Sequence, residues 1–238
     1  KQFKFNIKSR LSGTLARRGE IITPNGTIQT PAFIVVGTKA TVKTMTPEQV
    51  KDAGAEATLC NTYHLYLQPG DELVSQAGGL HKFMNWSGPM FTDSGGFQAF
   101  SLGVAMGRGI NKVADADAKE DSSLAKTRGN QVAKITDDGV KFKSIIDGSA
   151  HFFSPERSIQ IQHNLGADVM MAFDECTPFP CEYTYAKKSL KLTHRWLDRC
   201  ISRFNATDGF YDYNQFLFPI VQGSVYKDLR IESANYIS

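Results

Sequence analysis

Apolar residues along this chain gather into short runs that stop at a polar side chain, and the intervals between runs carry helix signals. The run "PAFIVV" (31–36) is continuously apolar, the pattern of a strand buried on both faces. In "TPEQVKDAG" that follows, Thr46 reads as N-cap and Pro47 as the first helical residue. Gln49 completes a capping box and Gly54 marks the stop. "EATLC" (56–60) is the next strand, so the order strand–helix–strand predicts a parallel sheet. "PMFT" (89–92) is a third strand of the same kind.

The rhythm is different at the start of the chain and in its middle. Residues 3–31 alternate as antiparallel strands, with "PNGT" (24–27) predicting an Asn-Gly hairpin turn. Residues 103–131 are polar, with "ADADAKEDSS" at their centre, and predict an excursion of disorder-prone composition. A hairpin is expected next, "VAKI" and "VKFKSII" joined at Asp138-Gly139. The strand–helix series then resumes. "SPERSIQIQHNLG" (154–166) has Ser154 as N-cap, Pro155 at the first position and Gly166 at the stop. "ADVMMAF" (167–173) is a strand, and residues 184–204 form a long helix whose Ala186, Leu190, Leu197, Ile201 and Phe204 keep near-helical spacing. "FLFPIV" (216–221) is the fifth strand of the series, and "YKDLRIESANYI" is a last helix. The whole, 1–238, reads as one α/β domain.

Composition narrows the class. At 238 residues, 41% hydrophobic and 21% charged, the chain can bury a full core. A net charge of +3 neither requires nor excludes a nucleic-acid partner. Cys60, Cys176, Cys181 and Cys200 have no framework spacing, which points to a reducing cytoplasm. No apolar run approaches 18 residues, so no membrane partner is expected. His64, His151 and His194 have no ligand spacing with the cysteines and read as packing or capping residues. Cys176 and Cys181 lack the further ligands a metal needs nearby. The basic residues of 184–204 (Lys187, Lys188, Lys191, Arg195, Arg199, Arg203) read as a solvated face.

The candidate chemistry sits where the strands stop. The series ends in turn at Asn61, Asp93, Asp174 and Gln222. In parallel α/β architecture the C-terminal ends of strands share one edge, where ligand sites lie on the loops. Two carboxylates and two amides suit a flat polar ligand such as a nucleobase, since carboxylates accept from N–H groups and amides do both. For "TDSGGF" alone two readings stand. Asp93 and Ser94 cap a turn or helix start, or Gly95 and Gly96 open the backbone to a ligand that Asp93 faces as acid or base.

The residues also carry a family resemblance. "NTYHLYLQPGDELV", "GGLHKFM", "FTDSGGFQAFSL", "GVKFKSIIDGS", "FSPERSIQIQ", "GADVMMAFDECTP", "THRWLDRC" and "VQGSVYKDLRIES" together resemble the queuine tRNA-ribosyltransferases, or tRNA-guanine transglycosylases, in their bacterial form. The resemblance implies an irregular (β/α)₈ barrel and exchange of the wobble guanine of GUN-anticodon tRNAs for 7-aminomethyl-7-deazaguanine. It implies tRNA, guanine and the 7-deazaguanine base as partners, a cytoplasmic homodimer, and a zinc-binding segment. Asp93 matches the family's proton acceptor, and Ser94, Gly95, Gly96 and Phe97 match its base-binding loop, with Phe97 stacking on the base. Asp174 matches the carboxylate that reads the guanine-like edge, and Cys176, Gln222 and Gly223 match pocket-lining residues. The implied reaction is a double displacement at ribose C1′, in the logic of a retaining glycosidase.

The chain departs from the pattern in two ways. Only about five barrel strands are legible, although about 250 residues usually hold eight. The motif D-x-x-x-P-T-R with the family's nucleophilic aspartate is absent, as is the Cys-x-Cys-x-x-Cys of its zinc site. The expectation is therefore a C-terminally truncated, inactive piece of an enzyme, its nucleophile and zinc ligands beyond residue 238. The alternatives are a non-catalytic tRNA-binding partner subunit of the same family, against which "DSGGFQ" argues, and an unrelated barrel enzyme of small-molecule metabolism.

Overall fold

The computed structural model describes residues 3–100 and 133–238. The expected excursion at 103–131 lies outside the described residues. The elements are three sheets and the helices around them.

At the start, β1 (Lys4–Arg10), β2 (Arg17–Thr23) and β3 (Gly26–Thr30) form an antiparallel sheet in that order. The hairpin turn is one residue earlier than its Asn-Gly pair predicts. Thr23 pairs with Gly26, so Pro24 and Asn25 are the central residues, and the Thr23 hydroxyl donates to the Gly26 carbonyl at 3.0 Å.

The strand–helix series gives one five-stranded parallel sheet, ordered β11-β10-β6-β5-β4. Its strands are β4 (Val35–Val36), β5 (Thr58–Cys60), β6 (Met90–Thr92), β10 (Val169–Met171) and β11 (Phe216–Phe218). Strand order follows chain order, so the sheet has no reversal point. Among the described residues it stays open, with β4 and β11 at its edges. β4 is shorter than the run "PAFIVV" predicts: only Val35 and Val36 pair, and Phe33 is 80% exposed. An apolar run at a sheet edge meets no partner on its outer side, so only the residues facing β5 are held in the ladder.

Between β6 and β10 lies a second antiparallel sheet, β7 (Ala133–Thr136), β8 (Gly139–Lys143) and β9 (Ala150–Phe153). Its turn repeats the shift seen at Asn25. Thr136 pairs with Gly139, leaving Asp137 and Asp138 central, and the Thr136 hydroxyl donates to the Gly139 carbonyl. β9 is a third strand that the pattern did not announce.

Helix α1 (Pro47–Asp52) carries the predicted capping box of Thr46 and Gln49. Three short helices fill the stretch after β5: α2 (Thr62–Leu67), α3 (Asp71–Gln76) and α4 (Leu80–Met84). Helix α5 (Pro155–Leu165) has Ser154 as N-cap, its hydroxyl accepting from Arg157 N–H, and ends at Gly166. Helix α6 (Tyr183–Asn205) and helix α7 (Lys227–Ile237) complete the set.

The parallel sheet is covered on both faces. Leu59, Phe91, Val169 and Phe216 align across four strands. Of these, Leu59, Phe91 and Val169 pack with Ile21 and Ile28 of the N-terminal sheet. On the opposite face Cys60, Met90, Phe173 and Trp196 join the main core with Leu165 and Cys200. Burying each such large side chain contributes about 1.5–3 kcal/mol. The N-terminal sheet is also fixed by charge. Asp168, fully buried just before β10, accepts from the Asn25 N–H and Nδ2 at 3.0 Å and from the Met90 N–H at 2.9 Å. The C-terminal strand ends are left to a polar group.

The basic residues of α6 are not simply solvated. Arg199 makes a bidentate pair with Glu156 (2.6 and 2.7 Å) and also donates to the Asp137 and Asp138 carbonyls, while Arg195 pairs with Asp137. A planar guanidinium fits a carboxylate fork, so these arginines bind α6 to α5 and to the β7–β8 turn.

Candidate active site

Four of the five strands of the parallel sheet, β5, β6, β10 and β11, are each followed by a polar residue of one hydrogen-bonded group. Asn61 follows β5 directly and Asp93 follows β6, and the two meet: Asn61 Nδ2 donates to Asp93 Oδ2 at 2.7 Å. The other oxygen, Oδ1, accepts from the Thr62 N–H at 2.7 Å, and the Thr62 hydroxyl donates to the Asp93 carbonyl. Asn61 stands at the N-cap of α2 but its side chain does not cap; the Asp93 carboxylate takes the first helix N–H instead. The capping reading of Asp93 is thus realised, with the partner helix lying after β5.

One residue on, Ser94 donates its hydroxyl to Asp174 Oδ1 at 3.1 Å and accepts from the Gly96 N–H. Gln222, in the loop after β11, donates Nε2 to Asp174 Oδ2 at 2.7 Å. Two linked sets result, Asn61–Asp93 and Ser94–Asp174–Gln222, joined through the Asp93–Ser94 peptide.

The glycines of the loop are required by the protein's own packing. Gly95 has φ +77°, and a Cβ there would lie 3.2 Å from Tyr63 N; one on Gly96 would lie 2.8 Å from the Asp174 carbonyl oxygen. The Asp93 loop can therefore lie directly on the Asp174 loop. Phe97 is half exposed, and Gly223 lies under the start of α7, where a Cβ would meet Leu229 and Arg230 backbone.

Helix α5 supports this edge from below. Ser158 donates to the Ser94 carbonyl at 2.7 Å. Gln162, one turn further on the same face, takes the Thr92 hydroxyl and the Met171 N–H on Oε1 and donates to the Met171 carbonyl. Fully buried, it ties β6 to β10 at the level of the site.

Both carboxylates are packed deeply enough to lose hydration yet retain partial exposure. Burial raises Asp93 above the usual carboxylate range, and Asn61, Thr62, Gln98 and the charge of His64 act against it. Burial likewise raises Asp174, with the charge of Asp93 adding to the rise and Gln222 and Ser94 opposing it. Cys176 is also raised, first by burial and then by the Asp174 charge, so its thiol stays protonated at neutral pH. The upward shift of each carboxyl is in the direction that suits a general acid or base.

The sequence-derived set is thus brought together in Asp93, Ser94, Gly95, Gly96, Asp174, Cys176 and Gln222. Sequence reasoning did not place Thr62, Gln98, His64 and Ser158 beside them. The spacing of Ser158 and Gln162, four apart on one helix, was the available signal. Among the described residues no group of three or more His, Cys, Asp or Glu converges on a metal position. No described helix is long and apolar enough to cross a membrane.

Comparison with known proteins shows the family of the chain. The queuine tRNA-ribosyltransferase family profile matches residues 12–238. The chain is 49% identical over 231 residues to the queuine tRNA-ribosyltransferase of Desulforamulus reducens, covering 97% of this chain and 54% of that protein. It is 49% identical over 234 residues to that of Symbiobacterium thermophilum, and 49% over 232 residues to that of Synechococcus elongatus. These alignments cover 98% of this chain and 50% and 52% of those proteins, so the chain spans about half the length of the relatives it matches. With a family match over nearly every residue and the polar group assembled at the strand ends, the chain belongs to the queuine tRNA-ribosyltransferase family.

Proposed function

We propose that this chain carries the base-handling half of a tRNA-guanine transglycosylase, exchanging the wobble guanine of tRNA for a 7-deazaguanine base. The observation that carries the reading is the pair of linked hydrogen-bond sets, Asn61–Asp93 and Ser94–Asp174–Gln222, at the ends of adjacent parallel strands.

The chemistry follows from the groups. Each Asp174 oxygen has one lone pair engaged by Ser94 or Gln222, leaving acceptor capacity for the N–H groups of a guanine-like edge. Gln222 and Ser94 hold the carboxylate in one orientation, so recognition needs little rearrangement. As the incoming base attacks C1′ and the carboxylate that had displaced guanine leaves it, Asp93 takes the proton the base releases, and the Asn61 and Thr62 donors stabilise its ionised form before that transfer. Cys176, Gly223 and the exposed face of Phe97 border the base. The reading assigns no residue of 1–238 as the nucleophile at C1′ and routes no step through zinc, for which the described residues offer no fitting donor set.

The unbroken strand order supports an arc of a (β/α)₈ barrel, since a doubly wound sheet reverses its order at the ligand site. Four free cysteines are in keeping with a reducing cytoplasm. A homodimer, and zinc held outside the described residues, are part of the same reading and rest on the family resemblance.

The test is calorimetric titration of the chain with guanine, beside Asp174→Asn. The substitution presents an amide donor to ligand N–H groups, an unpaired buried contact costing about 1–3 kcal/mol. Equal affinity of the two proteins for guanine removes Asp174 from the base site.

A further inference from the structure

Residues 173–176 follow the end of β10, and their groups divide between the site and α6. Asp174 and Cys176 face the site. Phe173 and Glu175 face α6, where Phe173 N–H donates to Cys200 Sγ at 3.3 Å. Glu175 is held at three points by one helix. Its N–H donates to Thr193 Oγ1 at 3.1 Å, its carbonyl accepts from the Ser189 hydroxyl at 3.3 Å, and its Oε1 accepts from the Tyr185 hydroxyl at 2.5 Å. Tyr185, Ser189 and Thr193 are four residues apart, a single stripe along α6.

This is an unusual use of a helix surface. Three consecutive turns spend their hydroxyls on one residue of a neighbouring loop, and Glu175, Ser189 and Thr193 are all buried. A buried carboxylate facing a helix is costly unless its hydrogen bonds are made, so the arrangement is fixed and not one of several equal packings. The residue it fixes is the immediate neighbour of Asp174. With both peptide groups of Glu175 anchored, the Asp174 carboxylate has little freedom except side-chain rotation, which Ser94 and Gln222 restrain from the other side.

We propose that Tyr185, Ser189 and Thr193, acting through Glu175, are positioning residues that set the Asp174 carboxylate for the base. The proposal rests on the base-exchange reading for its ligand and on geometry alone for the positioning. None of the three hydroxyls touches the site, and each acts from behind the loop.

Thr193→Val keeps the shape of the side chain and deletes the acceptor for Glu175 N–H; Thr193→Ser restores it. Tyr185→Phe, at the more exposed end of the stripe, is the milder second variant. The readouts are guanine affinity by calorimetry per folded molecule, and the Asp174 carboxyl titration by ¹³C NMR, its resonance assigned from its loss in Asp174→Asn. In Thr193→Val and Tyr185→Phe guanine affinity is expected to fall about three- to tenfold, the worth of one hydrogen bond. The Asp174 titration is expected to shift down toward the ordinary range as the loop loosens and hydrates, and Thr193→Ser is expected to recover both. Lower thermal stability with both readouts unchanged would mean a merely structural stripe and overturns the proposal. If the wild type binds no guanine while the Asp174 titration still responds to both variants, the base-exchange reading fails and the positioning stands.

Discussion

Asn61 Nδ2 and Asp93 Oδ2 lie 2.7 Å apart, joining the first residues past two adjacent parallel strands. The bond works against burial, which raises the Asp93 carboxyl. Because its folded value is raised, the stability linked to this proton is present at acid pH and lost as pH rises through that value. Asn61→Ala removes a donor to the ionised form and raises Asp93 further. The loss in stability is expected to be about 1–3 kcal/mol at a pH above the folded value of Asp93, where the carboxyl is ionised, and smaller at a pH below it, where Asp93 carries its proton. Urea unfolding at the two pH values checks this, and an equal loss at both would mean that Asn61 does not act on the Asp93 charge.

Asp174 predicts how base binding depends on pH. Its carboxyl is raised by burial in the free site, whereas guanine N–H groups donate to the ionised form. Binding therefore favours ionisation and releases a proton from whatever fraction is protonated. Guanine affinity is expected to strengthen as pH rises through the folded value of Asp174. Calorimetry in buffers of different ionisation enthalpy measures the proton release directly. An affinity that grows toward acid pH would contradict Asp174 as acceptor.

The parts of this molecule that were legible in its sequence are those fixed by neighbours a few residues away. Thr46, Pro47 and Gln49 announce α1, and Ser154, Pro155 and Gly166 bound α5, because caps satisfy backbone groups within one turn. Asp93, Asp174 and Gln222 stood out because each follows an apolar run that had to be a buried strand. Helices α2 to α4 were not legible, since at five or six residues each they are too short to show a period. Glu175 was equally silent: its role depends on three hydroxyls of a helix that begins after it. Asn25 reads as a turn residue, and nothing local tells that its partner is Asp168, 143 residues on.

That pairing is the basis of a stability prediction. Asp168 is fully buried, takes three N–H donors from Asn25 and Met90, and lies 3.3 Å from His81 Nε2. Asp168→Ala strands these donors at the junction of the N-terminal sheet and β6, an expected loss of about 3–5 kcal/mol. Burial opposes the ionised form, but His81, Met90 and Asn25 together hold the carboxyl below its usual range. Its contribution is thus present above the unfolded value and lost as pH falls through the folded one. The gap between wild type and variant in urea unfolding is expected to close on strong acidification. Hydrogen exchange in β2 and β3 that stays as slow as in the wild type would show that Asp168 is not what fastens this sheet.

Gly96 and Gly54 separate loop packing from backbone strain. Gly54 has φ +90° with open space around it, so Gly54→Ala meets only the left-handed conformation, costing about 1–2 kcal/mol. It lies at the end of α1, away from the carboxylates, and guanine affinity is expected to be unchanged. Gly96 has no such strain, but its Cβ would stand 2.8 Å from the Asp174 carbonyl oxygen and 3.2 Å from the Phe173 ring. Something has to move, and neither a backbone carbonyl nor a ring packed on Trp196 moves freely. Gly96→Ala is expected to lose about 1–3 kcal/mol of stability by overpacking. It is also expected to weaken guanine binding, because the displaced loop takes Ser94 away from Asp174. Calorimetry on both variants decides the matter: a Gly96→Ala protein that binds guanine as tightly as the wild type would mean that the contact between the two loops does not shape the base site.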